Sequence, residues 1–264
     1  MKKLCLLSAF LLGTTLTAFA AEKAVTEQPS GLKEATTATP RYNPDAKKRS
    51  AWHRRWDACR QQIARGGVEI VFIGDSITHF WENDAQTDKR KIGGLATYKK
   101  YFSNYNVLNL GHAGDRTEHA LWMVTGSKLL EGINPKLVVV MIGTNNLSKP
   151  RVDSPEAIAA GIEEIVKNIR IKQPEAKILL FGIFPRSANA KHRNRNKIIV
   201  VNGIISKLAD NENIFYCDIT ADLLKKDGNL SKDVMPDYLH PNDIGYEIWA
   251  RAMMPYVHKF VGKK

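Results

Sequence analysis

Five short apolar runs, separated by longer stretches with helical periodicity, constrain the fold of this chain more than any other feature. Residues 68–73, 107–110, 137–142, 177–182 and 214–218 are almost continuously apolar, as expected for strands buried on both faces. Around and between them, apolar residues recur at helical spacing over residues 52–63, 117–130, 154–171, 196–209 and 242–258. Strands that alternate with helices favour a parallel sheet covered on both sides. We therefore predict an α/β fold, a flavodoxin-like three-layer α/β/α sandwich with a five-stranded parallel sheet.

The first fifty residues differ in character from the rest of the chain. Residues 1–20 begin with two lysines after the initial Met, continue with an apolar run and end on a small-residue cleavage pattern, which is typical of a secretory signal peptide. The apolar run is shorter than the ~20 residues that span a bilayer. Residues 21–49 are polar without an apolar period, which predicts a flexible linker before a folded domain at residues 50–264. We expect a secreted or periplasmic protein without stable membrane insertion.

The chain is basic, with a formal net charge of +12 at pH 7. Such a surplus attracts anionic partners in general, and nucleic acid is the first candidate. Export argues against nucleic acid, and the charges are scattered apart from a cluster between Arg186 and Lys197, for which a solvated basic face is the simpler interpretation. We predict no nucleic-acid partner. The oligomeric state, and whether Cys59 and Cys217 are bonded, stay open.

Reactive residue types stand directly after the predicted strands. The first strand runs into a Gly-Asp-Ser motif that ends at Ser76, and a serine on a tight strand-to-helix turn presents its Oγ as a nucleophile must. A loop with Gly114 follows the second strand, and Asn145 follows the third. Carboxyl ends of parallel strands share one edge of the sheet, so these amides can converge on the oxyanion of a tetrahedral intermediate. Each residue alone is an ordinary turn residue, and only the combination indicates acyl transfer.

A base for this serine is offered near the end of the chain. Asp237 and His240 are three residues apart, just before the last predicted helix, and can lie on one side of a single turn. Serine needs a base at neutral pH, and the base needs an acceptor on its second nitrogen. We predict that Ser76, His240 and Asp237 form a catalytic triad.

At these residues the sequence resembles the SGNH hydrolases, or GDSL-type serine esterases, in four blocks that follow the order of that family. The blocks lie at residues 74–78 (Gly-Asp-Ser-Ile-Thr), 109–115 (Asn-Leu-Gly-His-Ala-Gly-Asp), 143–146 (Gly-Thr-Asn-Asn) and 237–240 (Asp-Tyr-Leu-His). Further similarity at residues 119–122 and 184–186 is closest in appearance to the catalytic subunits of platelet-activating factor acetylhydrolase and their bacterial relatives. The resemblance covers about residues 52–260.

The resemblance implies roles for individual residues. Ser76 would be the nucleophile, and its own N–H would form the oxyanion hole with the Gly114 N–H and the Asn145 side chain. No metal and no organic cofactor is implied. We expect three further residues to line the substrate: Asp75, His112 and Arg186.

Together these features predict an exported serine esterase that hydrolyses small acyl esters, above all acetyl esters, through an acyl-enzyme. Export from a bacterium would favour O-acetylated carbohydrate as the substrate. A lipid ester, as in platelet-activating factor acetylhydrolase, a lysophospholipase or a thioesterase, is the alternative. A glycan-binding module with an inactive site is the alternative outside enzymes.

Overall fold

The sheet sets the frame of the molecule. The computed structural model describes residues 28–264, and its strands are β1 (Ile70–Gly74), β2 (Val107–Asn109), β3 (Leu137–Met141), β4 (Lys177–Phe181) and β5 (Ile214–Cys217). All neighbouring strands are parallel, in the order β2-β1-β3-β4-β5. The predicted α/β fold with a five-stranded parallel sheet is confirmed, and each strand is one residue shorter than its apolar run.

Helices cover both faces of this sheet. Their bounds are α1 (Leu32–Ala35), α2 (Ala51–Arg65), α3 (Ser76–His79), α4 (Leu95–Phe102), α5 (Thr117–Thr125), α6 (Pro155–Lys172), α7 (Arg193–Ile205), α8 (Thr220–Leu223) and α9 (Asp243–Phe260). Within residues 28–264, none of these helices has the length and apolar content that crossing a bilayer requires.

Two hydrophobic cores, one on each face of the sheet, hold the three layers together. Because successive strand residues point to opposite faces, Val71 packs with α2, α5, α6 and α7, whereas Phe72 packs with α4 and α9. Cys59 belongs to the first core and Cys217 packs against the second, so both thiols are free.

Helices α5 and α4 illustrate how the structure departs from the predicted helices. The predicted helix over residues 117–130 ends at Thr125, and the backbone N–H of Gly126 caps it by bonding to the Trp122 carbonyl. Helix α4 was not predicted, because its eight residues carry a short apolar pattern. A helix of that length is marginal alone, and α4 packs against α9.

Residues 28–49, called the strap below, differ from the predicted flexible linker. Ala35 of α1 is fully buried, and α1 packs against α6. Backbone hydrogen bonds fasten the strap at two further points, from Thr39 N–H to the Glu118 carbonyl (3.1 Å) and from Ser154 N–H to the Ser30 carbonyl (2.9 Å). Its polar composition misled the prediction, because these contacts need no apolar face. The predicted signal peptide and residues 21–27 of the predicted linker lie outside the described residues.

Candidate active site

The serine turn follows β1. The next two strands along the chain lie on opposite sides of β1, with β2 on one side and β3 on the other. Crevices form beyond the carboxyl end of such a strand. Gly74 must lack a side chain there, because a Cβ would run into the Met141 carbonyl oxygen and the Thr78 hydroxyl. The Asp75 Oδ1 accepts a hydrogen bond from Ile77 N–H at 2.9 Å and caps α3. Ser76 is thereby fixed in the first turn of α3.

Ser76, His240 and Asp237 are joined by continuous hydrogen bonds. The Ser76 Oγ lies 2.8 Å from His240 Nε2, and His240 Nδ1 lies 2.7 Å from Asp237 Oδ2. Because a carboxylate only accepts, Nδ1 carries the proton and Nε2 is left to accept one from the serine. The second oxygen of Asp237 accepts N–H groups of His240 (2.7 Å) and Leu239 (3.0 Å), which locks the aspartate onto its turn. The arrangement can activate a serine hydroxyl.

The charge of Asp237 is maintained by the same contacts. Partial burial would raise the pKa of Asp237, but hydrogen bonds from His240 and Leu239 hold it below its ordinary value. The carboxylate is therefore ionised at neutral pH and can stabilise a positive charge on His240.

A second carboxylate lies beneath the serine. Ser76 and His240 are 6 % and 9 % exposed, so the reacting atoms are recessed, and Asp75 is 0 % exposed. The Asp75 Oδ2 has no hydrogen-bond partner among residues 28–264. Burial raises the pKa of Asp75 to about 6, against the opposing effects of the bond from Ile77 and the charges of His240 and Arg186. At neutral pH this carboxylate adds negative charge close to His240.

The loop after β2 approaches the serine turn closely. Asn109 ties the two together, because its Nδ2 donates to the Thr78 carbonyl (3.0 Å) and its Oδ1 accepts the Gly111 N–H (2.9 Å). The Ala113 N–H donates to His79 Nδ1 at 3.3 Å. Gly114 follows with φ +83°, a conformation that favours glycine. The loop can therefore bring a backbone amide up to the serine.

Asn145 belongs to a short 3₁₀ turn after β3, Thr144–Leu147. Its Nδ2 donates to the Asp115 carbonyl at 2.8 Å, and its carbonyl accepts a hydrogen bond from Arg116 Nη1 at 2.7 Å. An amide nitrogen has two hydrogens. The bond to Asp115 fixes the amide and leaves the second hydrogen available for an oxyanion.

Two of the three residues predicted to line the substrate make structural contacts. Asp75 exposes no surface. Arg186 is partly buried and supports the third loop, since its Nη1 donates to the Thr144 carbonyl (2.8 Å) and to Ser148 Oγ (3.0 Å). The motif spacing does not reveal these contacts.

His112, the third of these residues, is 1 % exposed and lies in the wall of a pocket beside the serine turn. Its Nδ1 lies 2.9 Å from the Leu110 carbonyl and donates to it. Burial lowers the pKa of His112 to about 4, so the ring is neutral near pH 7.

Two arginines near the site were not predicted. Arg116 binds the Asn145 carbonyl and, through Nη2, the buried Asp153 (2.9 Å), so it supports the oxyanion side of the site. Arg41 of the strap covers Gly114, and its Nη1 lies 3.5 Å from Asp115 Oδ1. Arg116 could have been suspected because it directly follows the second motif block. Nothing in the sequence indicated that Arg41 lies near the site, since this residue is in a polar segment far from every motif.

The basic cluster does not form one exposed face. Arg195 is buried, and its Nη2 donates to the Gly228 carbonyl at 2.9 Å. The Lys197 ammonium donates to the Asp153 carbonyl at 3.3 Å. Over residues 28–264, no group of three or more His, Cys, Asp or Glu side chains is arranged to hold a metal ion.

The fold and the site define the class: an α/β protein in which a serine after β1 is hydrogen-bonded to a histidine that shares one turn with an aspartate before α9, as in serine hydrolases. The model of the GDSL-like lipase/acylhydrolase family matches residues 72–248. The chain belongs to this family and is a serine ester hydrolase.

Known proteins agree with this assignment. The human platelet-activating factor acetylhydrolase IB subunit alpha1 is 33% identical over 188 residues, which cover 70% of this chain and 73% of the relative. A GDSL-like lipase of Bacteroides thetaiotaomicron has a similar structure, with a TM-score of 0.62 and 18% identity over 79% of this chain and 98% of its own. A carbohydrate acetylesterase family member of Sinorhizobium meliloti has a TM-score of 0.56 and 18% identity over 74% of this chain and 100% of its own. At these identities the two structures show the fold alone.

Proposed function

We propose that this protein is an exported acetylesterase that removes acetyl groups from carbohydrate, with Ser76 as the nucleophile. Its Oγ attacks the ester carbonyl while His240 Nε2 takes the hydroxyl proton, and Asp237 stabilises the imidazolium. The imidazolium then protonates the departing alcohol, which leaves acetyl on Ser76. Water attacks this acyl-enzyme with His240 as base again, and acetate is released. The 2.8 Å contact between Ser76 and His240 carries the proposal.

The negative charge of each tetrahedral intermediate needs donors. We assign this role to the N–H groups of Ser76 and Gly114 and to the Asn145 side chain. Asn145 is already fixed by Asp115 and Arg116, so its donor is preorganised and needs no rearrangement during the reaction.

The choice of carbohydrate is supported by two observations. The similar Sinorhizobium meliloti structure is described as a carbohydrate acetylesterase family member. Residues 1–20 have the pattern of a signal peptide, and export would give the enzyme access to glycans. A lipid ester is the second candidate substrate, because the human relative at 33% identity is a platelet-activating factor acetylhydrolase.

A hydrolysis screen separates these candidates. The secreted chain is assayed on acetylated monosaccharides, acetylated glycans, short-chain phospholipid esters and p-nitrophenyl esters from two to eight carbons, with Ser76→Ala and His240→Ala as controls. We expect release of acetate from sugars, a steep fall in kcat/KM beyond four carbons, and loss of activity in both variants at unchanged melting temperature. Preference for long acyl chains or phospholipid would refute the carbohydrate assignment. Equal activity in the Ser76→Ala variant would refute the mechanism.

A further inference from the structure

A pocket of about 260 Å³ lies beside the serine turn, between the strap and the loop after β2. Two residues of its wall border the catalytic groups. His79 ends α3, the helix that begins with Ser76, and Ala113 directly precedes Gly114. The pocket is therefore next to the position of the reacting ester. Its strap residues precede residues 72–248, the part matched by the family model.

Two groups in the wall have free hydrogen-bonding capacity. His112 uses Nδ1 to donate to Leu110, so its Nε2 is an acceptor, and this buried atom has no partner among residues 28–264. Arg41 carries five N–H donors, and its side-chain hydrogen bonding over the described residues is the one 3.5 Å contact with Asp115. Arg41 therefore has donors free for the oxygen of a ligand hydroxyl, whereas the His112 Nε2 is enclosed and exposes almost no surface.

Two aromatic residues, Tyr42 and Trp52, form another part of the wall. Tyr42 is 45% exposed, and its ring lies 6.0 Å from that of Trp52 at an angle of 62°. The Trp52 ring in turn lies 5.6 Å from His112. An exposed tyrosine at the pocket edge offers an apolar surface to one face of a ring-shaped ligand.

Each of the two cations at the pocket has an acidic neighbour. Arg41 faces Asp115, and Arg55 pairs with Glu82 at 2.6 Å and also donates to the Gly111 carbonyl at 2.6 Å. Arg55 is therefore fully paired. Burial raises the pKa of Asp115 well above its ordinary value, so Arg41 has the weaker counter-charge and keeps donors for a ligand.

We propose that this pocket is a subsite for one sugar ring of the alcohol part of the ester, with Tyr42 as the stacking surface and with Arg41 donating to its hydroxyls. The volume is just below the ~300–1,000 Å³ of pockets for drug-sized ligands, which suits a single ring. The assignment rests on the proposed carbohydrate function. It makes the strap a determinant of substrate choice.

The test compares two acetyl esters, an acetylated neutral monosaccharide and ethyl acetate, whose alcohol has no ring. For Tyr42→Ala and for Arg41→Ala we expect the ratio of kcat/KM for the sugar ester to that for ethyl acetate to fall about ten-fold, mainly through KM. Such a change corresponds to the loss of roughly 1.4 kcal/mol of binding. Tyr42→Phe keeps the ring and should keep the ratio. Arg251→Ala, an exposed arginine on α9, is the matched control.

The outcomes separate the subsite from the proposed function. If the wild-type enzyme hydrolyses ethyl acetate but no acetylated sugar, the carbohydrate function fails. If it hydrolyses the sugar ester and the ratio is unchanged in Tyr42→Ala and Arg41→Ala at normal melting temperatures, only the subsite fails. Equal losses on both esters would mean that the strap merely supports the oxyanion loop, which overturns the assignment.

Discussion

Replacing Asp75 by Asn should make the stability of the protein depend differently on pH. The variant keeps Oδ1, which accepts the Ile77 N–H, and removes the ionisable group. Burial raises the pKa of Asp75 from 3.8 to about 6. Well below pH 4 the carboxyl is protonated in both the folded and the unfolded chain, and its burial costs little. Well above pH 6 it is ionised in both, so the full desolvation cost is present.

The size of this cost follows from the shift. About two pKa units correspond to roughly 3 kcal/mol, because one unit is about 1.4 kcal/mol. Some of the difference is already present at pH 4. We therefore expect the free energy of unfolding of Asp75→Asn, relative to that of the wild type, to rise by about 2 to 3 kcal/mol between pH 4 and pH 7. The new amide also has an effect of its own on stability, but that effect does not change with pH. For a chain of this size that is a relative gain of several degrees in Tm.

Urea unfolding of both proteins at several pH values between 4 and 7 measures this difference. The exposed Asp222→Asn is the control, and its difference from wild type should stay within about 0.5 kcal/mol throughout. A difference for Asp75→Asn that does not change with pH would refute the reasoning. A stability difference that falls as the pH rises would also refute it, because His240 and Arg186 would then stabilise the ionised Asp75 by more than its burial costs.

Asn145→Ala should lower kcat by roughly a hundred- to a thousand-fold with little change in KM, since the lost donor acts on transition-state charge. Its neighbour Asn146, buried and bonded to Thr117 and Asp153, is the structural control, so Asn146→Ala should lower Tm while kcat of the folded fraction stays nearly normal. Similar effects of the two variants would remove Asn145 from the oxyanion hole. Gly114→Ala should lower Tm, because an alanine there has a strained φ and its Cβ meets Arg41, and the loss should be smaller in an Arg41→Ala background. Equal losses in both backgrounds would show that Arg41 does not restrict this position. Dialysis against EDTA should leave kcat unchanged because the proposed donors are amides, and activity that zinc restores after chelation would contradict this.

The sheet was predictable because strands that are buried on both faces have uninterrupted apolar runs in the sequence. A strand such as β3, Leu137–Met141, has no polar position to interrupt its apolar run. The strand ends then located Ser76, Gly114 and Asn145 at one edge. Asp237 and His240 were found because their spacing fits a single turn.

What failed depends on contacts between distant parts of the chain. The strap is fixed by backbone hydrogen bonds and one buried alanine, and neither changes the composition of its sequence. The bond of Arg186 to the Thr144 carbonyl was not predictable, because every residue type offers a backbone carbonyl as an acceptor. Asp75 was identified by its motif, yet only the packed structure shows that it is enclosed.

The fastening of the strap to α6 has a consequence for protein engineering. Gly161 of α6 leaves no room for a side chain, because a Cβ would lie 2.6 Å from the Ala35 carbonyl oxygen. A bulkier residue at this position would push α1 outward, together with the chain that leads to Arg41. Random mutagenesis for new ester preferences would then return changes in the middle of a helix remote from Ser76. Shortened proteins that begin at residue 50 or 72 would lack the strap altogether, so they should not be used interchangeably with the longer chain when substrates are ranked.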